Sequence, residues 1–144
     1  MKIAIACDHG GYPLKEAIIG CLKEDGHEIV DLGAHSEEVS VDYPQYGYQC
    51  AQAVAGGEAE RGIVICGTGI GISIAANKVK GIRCALCTST KMAEMARRHN
   101  DANMLALGAR ILEEADALDI LRVFMETGFD GGRHQRRVDL LNSY

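Results

Sequence analysis

The stretch from Gly62 to Gly81, GIVICGTGIGISIAANKVKG, constrains the fold more than any other part of the chain. Arg61 to Cys66 has the character of a short strand covered on both faces: a brief β-branched run that ends at turn residues. The run stops at Gly67, which alternates with Thr68, Gly69, Ile70 and Gly71 before helical spacing resumes from Ile72 to Lys78. A strand, a glycine turn whose backbone N–H groups face inward and a helix N-terminus together form an anion cradle. Cys66 takes the last strand position, facing that cradle, where the positive end of the helix favours thiolate. Two nucleotide-binding patterns fit less well. Gly71-Ile72-Ser73 lacks the lysine of a P-loop, and the dinucleotide fingerprint needs a glycine where Ile72 stands and an acidic residue near position 85. A buried structural thiol is the usual fate of a strand cysteine, yet open α/β sheets hold their ligands at the strand end where Cys66 lies.

A length of 144 residues suits one domain, 1–144, and a 47% hydrophobic content supplies a single core. The formal net charge of -5 gives no reason to expect nucleic acid or a membrane as partner, so an anionic ligand must be held by a local basic patch. MKIAIACDHGG is too soon interrupted for a signal peptide or a membrane span, and the chain is expected to be cytoplasmic. Six cysteines in that setting are reduced thiols rather than a disulfide framework. Cys84 and Cys87 have CxxC spacing, but they lie in the apolar run IRCALCT with no second pair to complete a zinc site.

In chain order, Lys2 to Cys7 is a strand ending at Asp8-His9-Gly10-Gly11, and Pro13 opens a helix with Leu14, Ala17, Ile18, Cys21 and Leu22 on its inner stripe. A strand from His27 to Leu32 follows, then a polar connection with His35 and Asp42-Tyr43-Pro44 that leads into a helix up to Val54. Ile82 to Thr88 is the fourth strand. Ser89 or Thr90 caps a helix to about His99 whose inner face is Met92, Met95 and Ala96. Asn103 to Leu107 is the fifth strand, followed by Gly108-Ala109-Arg110, a helix from about Glu113 to Thr127 and a basic tail, Arg133-His134-Gln135-Arg136-Arg137. Strands alternating with helices predict a three-layer α/β/α sandwich on a parallel five-stranded sheet, Rossmann-like in the order 2-1-3-4-5, with a C-terminal helical extension. That order puts Asp8-His9 and Cys66 to Thr68 on one crevice.

Arg133 and Arg137, four apart, share a face if the tail is helical, and two converging guanidinium groups suit a phosphate monoester. His9, His99 and His134 stand at turns or helix ends, where a histidine serves as acid or base; His27 and His35 read as surface residues. Asp8 either orients His9 or caps the first helix, and Asn77, Asn100 and Asn103 either bond sugar hydroxyls or cap helix ends. One reaction uses all these parts. Interconverting an aldose phosphate and its ketose needs a base between C1 and C2, donors for the enediolate oxygens, an acid–base group for ring opening and a phosphate anchor, with no metal or redox cofactor.

The chain resembles the B type of ribose-5-phosphate isomerase, in the family that also contains galactose-6-phosphate isomerase subunits. The resemblance runs through Ile3 to Gly11, Val41-Asp42-Tyr43-Pro44, Ile65 to Ser73, Arg98-His99-Asn100-Asp101-Ala102-Asn103 and Gly131 to Arg137. It implies Cys66 as the proton-transfer base, Thr68 and His99 in ring opening, and the turn after Gly67, with Gly69 and Gly71, as the enediolate's anion hole. It implies phosphate contacts at His9, Arg133 and Arg137, and substrate contacts at Asp8, Tyr43, Asn100, Arg110 and His134. It further implies a sugar phosphate as the small-molecule partner, no cofactor, and a homodimer or a dimer of dimers. His99-Asn100 and the Arg-His tail favour the pentose over six-carbon substrates such as allose 6-phosphate or galactose 6-phosphate. A flavodoxin-like nucleotide or flavin module shares the fold class, but the turn from Gly67 to Gly71 holds no aromatic residue.

Topology adds an expectation of its own. A helix between two parallel strands runs back across the sheet, so His99 belongs at the edge opposite Cys66, ~15 Å away by helix rise. A site that uses both residues is then shared between two chains.

Overall fold

A run of alternating large and small apolar residues, Ile3-Ala4-Ile5-Ala6, forms the buried first strand, β1 (Lys2–Cys7), and sends its side chains to opposite faces. The computed structural model describes residues 1–144. β1 is followed by a 3₁₀ turn (His9–Gly11) and α1 (Tyr12–Glu24); β2 (Glu28–Asp31), α2 (Tyr43–Ala55), β3 (Arg61–Cys66) and α3 (Ile70–Ala76) come next. β4 (Cys84–Leu86), α4 (Thr90–Asn100), β5 (Met104–Gly108), α5 (Glu114–Glu126) and α6 (Arg133–Ser143) complete the chain. Every strand pairing is parallel.

Strand alternation divides the core in two. Ile3, Ile5, Ile63, Ile65, Leu105 and Leu107 pack with Leu14, Ile18 and Leu22 of α1 and Leu121 and Phe124 of α5. Ala4, Ala6, Val64, Cys66 and Ala106 pack with Cys50 and Ala51 of α2 and Ile72 of α3. The small side chains on the second face let α2 and α3 lie close to the sheet. No helix is long and apolar enough to cross a membrane.

The three-layer α/β expectation holds, but the strand order is β2-β1-β3-β5-β4 rather than 2-1-3-4-5. Length and burial explain the exchange. All five residues of β5 are fully covered, as an interior strand of a parallel sheet requires, whereas β4 has only three residues, each half-buried, and takes the edge. The apolar run Ile82 to Thr88 reads as longer than the strand it forms; at its start the Arg83 N–H donates to a side chain, Asn103 Oδ1, at 2.8 Å in place of a ladder carbonyl. The correction has a direct consequence for the site. Cys66 is in register with Gly108 of β5, so the residues that follow β5 lie beside Cys66 instead of one strand away.

Two further expectations change. α3 begins at Ile70, so Gly71 belongs to the helix and the turn is Gly67 to Gly69. On α4 the buried residues are Ala93, Ala96 and Arg97, while Met92 is 43% exposed, its sulfur against the Thr88 hydroxyl at 3.3 Å. Arg97 displaces the methionine because it bridges three segments. Its guanidinium donates to Ala102 O at 2.7 Å, to Asp101 Oδ1 at 2.9 Å and to Thr127 O at 3.1 Å, and so ties the end of α4 to β5 and to the chain after α5.

Candidate active site

Strand ends carry the first group of functional side chains. β1 ends at Cys7 and β3 at Cys66; the strands pair as Cys7 with Ile65, and the Asp8 N–H donates to Ile65 O at 3.2 Å, so Asp8 and His9 adjoin the turn after Cys66. Asp8 is a cap and not an orienting partner for His9: its Oδ1 accepts from the Gly11 N–H at 3.1 Å. On the other side of β3, the Ala109 N–H donates to Cys66 O and the Arg110 N–H to Gly67 O, each at 2.9 Å. The Arg110 guanidinium lies over both flanking turns, since a Cβ at Gly10 or at Gly67 would stand 3.3 or 3.4 Å from its nitrogens. A cation thus spans the crevice between β1 and β3, over the turns that follow them.

The sulfur is held by the backbone. Gly69 adopts the left-handed conformation, φ 79°, which turns its N–H back to donate to Cys66 Sγ at 3.2 Å. A sulfur anion accepts such a bond more strongly than a thiol does. The Thr68 hydroxyl accepts from the Ile70 N–H at 3.2 Å, and Thr68 itself is exposed at the mouth of the turn. At Gly71 a Cβ would lie 2.5 Å from the Tyr43 ring, so its bareness lets Tyr43 pack onto the start of α3. Burial pushes Cys7 and Cys50 up to about 12 and Cys87 up to about 11, and it drives Cys84 up as well, so these remain thiols near neutral pH.

The second group lies at the opposite edge of the sheet. α4 crosses back from the end of β4 to the start of β5, so His99 and Asn100 stand at the N-terminal edge. α6 joins them there. The His134 ring, 9% exposed, stacks on His99 with centroids 4.2 Å apart and planes 11° apart, and Arg133 and Arg137 are exposed on the same helix. Asp130 lies 3.6 Å from the Arg98 guanidinium, and its N–H donates to Arg98 O at 3.0 Å. Burial, His99, Arg133 and Arg137 together hold His134 below the usual imidazole range, against the pull of Asp130. Cys66, Thr68, Asp8, His9, Tyr43, Gly67, Gly69, Gly71 and Arg110 are therefore one cluster, and His99, Asn100, Arg133, His134 and Arg137 another.

The second cluster suits an anion. Ligand atoms of His99, Asp130 and His134 lie within 4.8 Å of one another, a spacing seen in metal sites. Nearly parallel rings, however, do not direct two in-plane lone pairs at one ion, and Arg133 and Arg137 raise the local positive potential. The largest cavity of the single chain also adjoins this edge, lined by Asn77, Lys80, Arg83, Asn100 and Tyr144, and lies away from the sulfur. Asn77 and Asn103 are structural: Asn77 exchanges hydrogen bonds with the backbone of Cys84 at 2.8 and 3.0 Å, and Asn103 Nδ2 donates to Gly81 O at 2.9 Å. Asp130 is the member that sequence reasoning missed; Phe129-Asp130-Gly131-Gly132 resembles an ordinary turn, and only its place between Arg98 and the histidine pair gives it meaning.

Residues 3–141 match the family described as ribose/galactose isomerase. The chain is 48% identical to the ribose-5-phosphate isomerase B of Escherichia coli over 142 residues, 99% of this chain and 95% of that one. Among solved structures it is similar to a ribose-5-phosphate isomerase B of Clostridium thermocellum, with 56% identity, a TM-score of 0.97 and coverage of 99% and 96% of the two chains. It is also similar to that of Mycoplasma genitalium with bound ribulose-5-phosphate, at 42% identity and a TM-score of 0.95, over 99% of this chain and 95% of the other.

Proposed function

The chain belongs to the ribose/galactose isomerase family, and on that premise we propose that it interconverts ribose 5-phosphate and ribulose 5-phosphate, with Cys66 as the base. The observation that carries the assignment is the Cys66 sulfur held by the Gly69 N–H at a strand end, with the Arg110 guanidinium over the adjoining Gly10 and Gly67 turns. In the forward direction Cys66 sulfur takes the C2 proton of the open-chain aldose. The electron pair left on C2 forms the C1–C2 double bond of an enediolate as the carbonyl oxygen gains negative charge, and the N–H groups of the turn and the Arg110 cation stabilise that charge. The O2 hydroxyl proton then passes to the oxygen on C1, the C2–O2 bond closes to a carbonyl, and the C1–C2 electron pair takes the proton back from Cys66 at C1 to give the ketose. No electrons leave the substrate, so the chemistry calls for no redox cofactor.

Ring opening and phosphate binding draw on both clusters. His99 and Thr68 open the furanose, and Arg133 and Arg137, with His9, hold the phosphate. These groups stand at opposite edges of one sheet, separated by roughly 15 Å, the length of a five-residue strand. A two-fold homodimer that sets the N-terminal edge of one subunit against the C-terminal edge of the other completes two identical sites. An apolar surface beside the turn supports this association: Tyr43, Tyr48, Ile70 and Ile74 are between 39% and 56% exposed. We place the enzyme in the cytoplasm.

The test is turnover of ribose 5-phosphate, followed in deuterium oxide. Isomerisation with solvent deuterium entering at the transferred position is the expected result, with slower turnover of allose 6-phosphate. Turnover of the hexose alone would reassign the substrate, and isomerisation in a protein with Cys66→Ala would remove the thiolate from the mechanism.

A further inference from the structure

His9 follows β1, and Val41 closes the connection between β2 and α2, 32 residues later. The Val41 backbone N–H donates to His9 Nδ1 at 3.1 Å. A backbone amide nitrogen only donates, so Nδ1 must present its lone pair, and a neutral imidazole with a lone pair on Nδ1 carries its proton on Nε2. No carboxylate takes this role: the hydrogen bond of the His9 ring is to the Val41 N–H, while Asp8 Oδ1 accepts from the Gly11 N–H.

The connection that supplies the N–H is itself anchored. The Lys15 side chain has no exposed surface and donates to Asp31 Oδ1 and to Ala34 O, both at 2.7 Å. Asp31 Oδ1 also accepts from the Gly33 N–H at 3.0 Å. The Ala34 N–H donates to Cys7 O at 2.7 Å, and the Cys7 N–H to Gly33 O at 2.6 Å. The connection is therefore tied at one end to the last residue of β1 and at the other to the ring of His9. Burying a lysine is costly unless its charge is paired, and here the pair holds a segment of the chain that ends at the site.

The geometry points to the Val41 backbone N–H as a positioning group of the active site, one that fixes His9 as an Nε2–H donor toward the crevice. Sulfur and imidazole then divide the work. Cys66 accepts the proton from carbon, while His9, whose free nitrogen already bears a hydrogen, meets the substrate as a donor only. The role in turnover rests on the isomerase reading; the tautomer is a property of the chain alone.

The tautomer is read directly by long-range proton–nitrogen NMR of the imidazole nitrogens in the unliganded protein. The expected spectrum has an unprotonated Nδ1 and a protonated Nε2 for His9. Val41→Pro removes the donor, and Val41→Ala keeps it. Losing one hydrogen bond of ordinary strength should raise KM for ribose 5-phosphate roughly tenfold with kcat within about twofold, and Val41→Ala should restore the parent KM. A protonated Nδ1 in the unmodified protein, or a folded Val41→Pro protein with the parent KM, overturns the proposal. If Val41→Pro does not fold, the spectrum of the unmodified protein decides. Absence of ribose 5-phosphate turnover in the unmodified protein would count against the isomerase reading, and the spectrum would still settle the tautomer.

Discussion

The two edges of the sheet are built differently. At the C-terminal edge, Asp8, Cys66 and Arg110 each lie within two residues of a strand end, and backbone hydrogen bonds of 2.9 to 3.2 Å lock their places. At the N-terminal edge no functional residue belongs to a strand; His99 ends one helix, His134 begins another, and packing between the two brings the rings together. In the proposed mechanism the first edge is the platform for the step that needs the tightest geometry, proton transfer at carbon. The second is a charged wall assembled from helix ends, suited to gripping a phosphate and handling the ring oxygen. Substitutions at the two edges should therefore fail in different kinetic terms.

The largest effect belongs to the platform. Cys66→Ala should lower kcat by about a thousandfold or more, the range of a lost general base, with little change in sugar-phosphate affinity measured by calorimetry. A residual kcat within tenfold of the parent would shift the proton transfer to another group. At the wall, Arg137→Ala should act mainly on KM. One charge-assisted contact contributes about 1.5 to 3 kcal/mol, roughly tenfold to a hundredfold in affinity. Inhibition by inorganic phosphate should weaken in parallel; an unchanged KM would make Arg137 a solvated surface charge.

The smallest effect is a pH dependence of stability at the wall. His134 lies below the usual imidazole range in the folded chain, so the unfolded chain binds the proton more readily. Between the folded value and the ordinary value near 6.5 the unfolded chain carries more protons, and stability there rises with pH. Acidifying from neutrality through that window should lower Tm, and the slope should be shallower in His134→Asn. The carboxylate of Asp31, kept below its ordinary range by Lys15 against its own burial, acts separately and only in more acidic solution; its stabilising effect is lost as pH falls through the folded value. A slope equal in parent and variant would detach His134 from acid sensitivity.

Legibility in the sequence follows the same division. β1 and β3 end where their apolar runs do, at Cys7 and Cys66, because a strand covered on both faces leaves a continuous hydrophobic signature. Cys66 and its turn were legible for that reason. The exchange of β4 and β5 was not, since relative depth in a sheet is decided by which run stays paired over its whole length, a comparison that local patterning does not make. Arg110 gains its place over the turn after Cys66 only through that exchange. Lys15 and Arg97 escaped notice as core residues because charge argues for the surface; each is buried only because its donors meet carbonyl and carboxylate oxygens supplied by segments distant in sequence. His99 could be assigned to the far edge from helix direction alone, whereas its stacking on His134 depends on a tertiary contact between α4 and α6.

The central claim, that Cys66 of one subunit works with His99 of its neighbour, is tested most directly by complementation. Cys66→Ala and His99→Ala chains, each inactive alone, are unfolded together and refolded as an equal mixture. Random two-fold pairing makes about half of the dimers mixed, each with one intact site of two, so the mixture should recover about a quarter of the parent activity. A mixture no more active than its separate components, with mixed dimers demonstrated by mass spectrometry, would contradict the shared site.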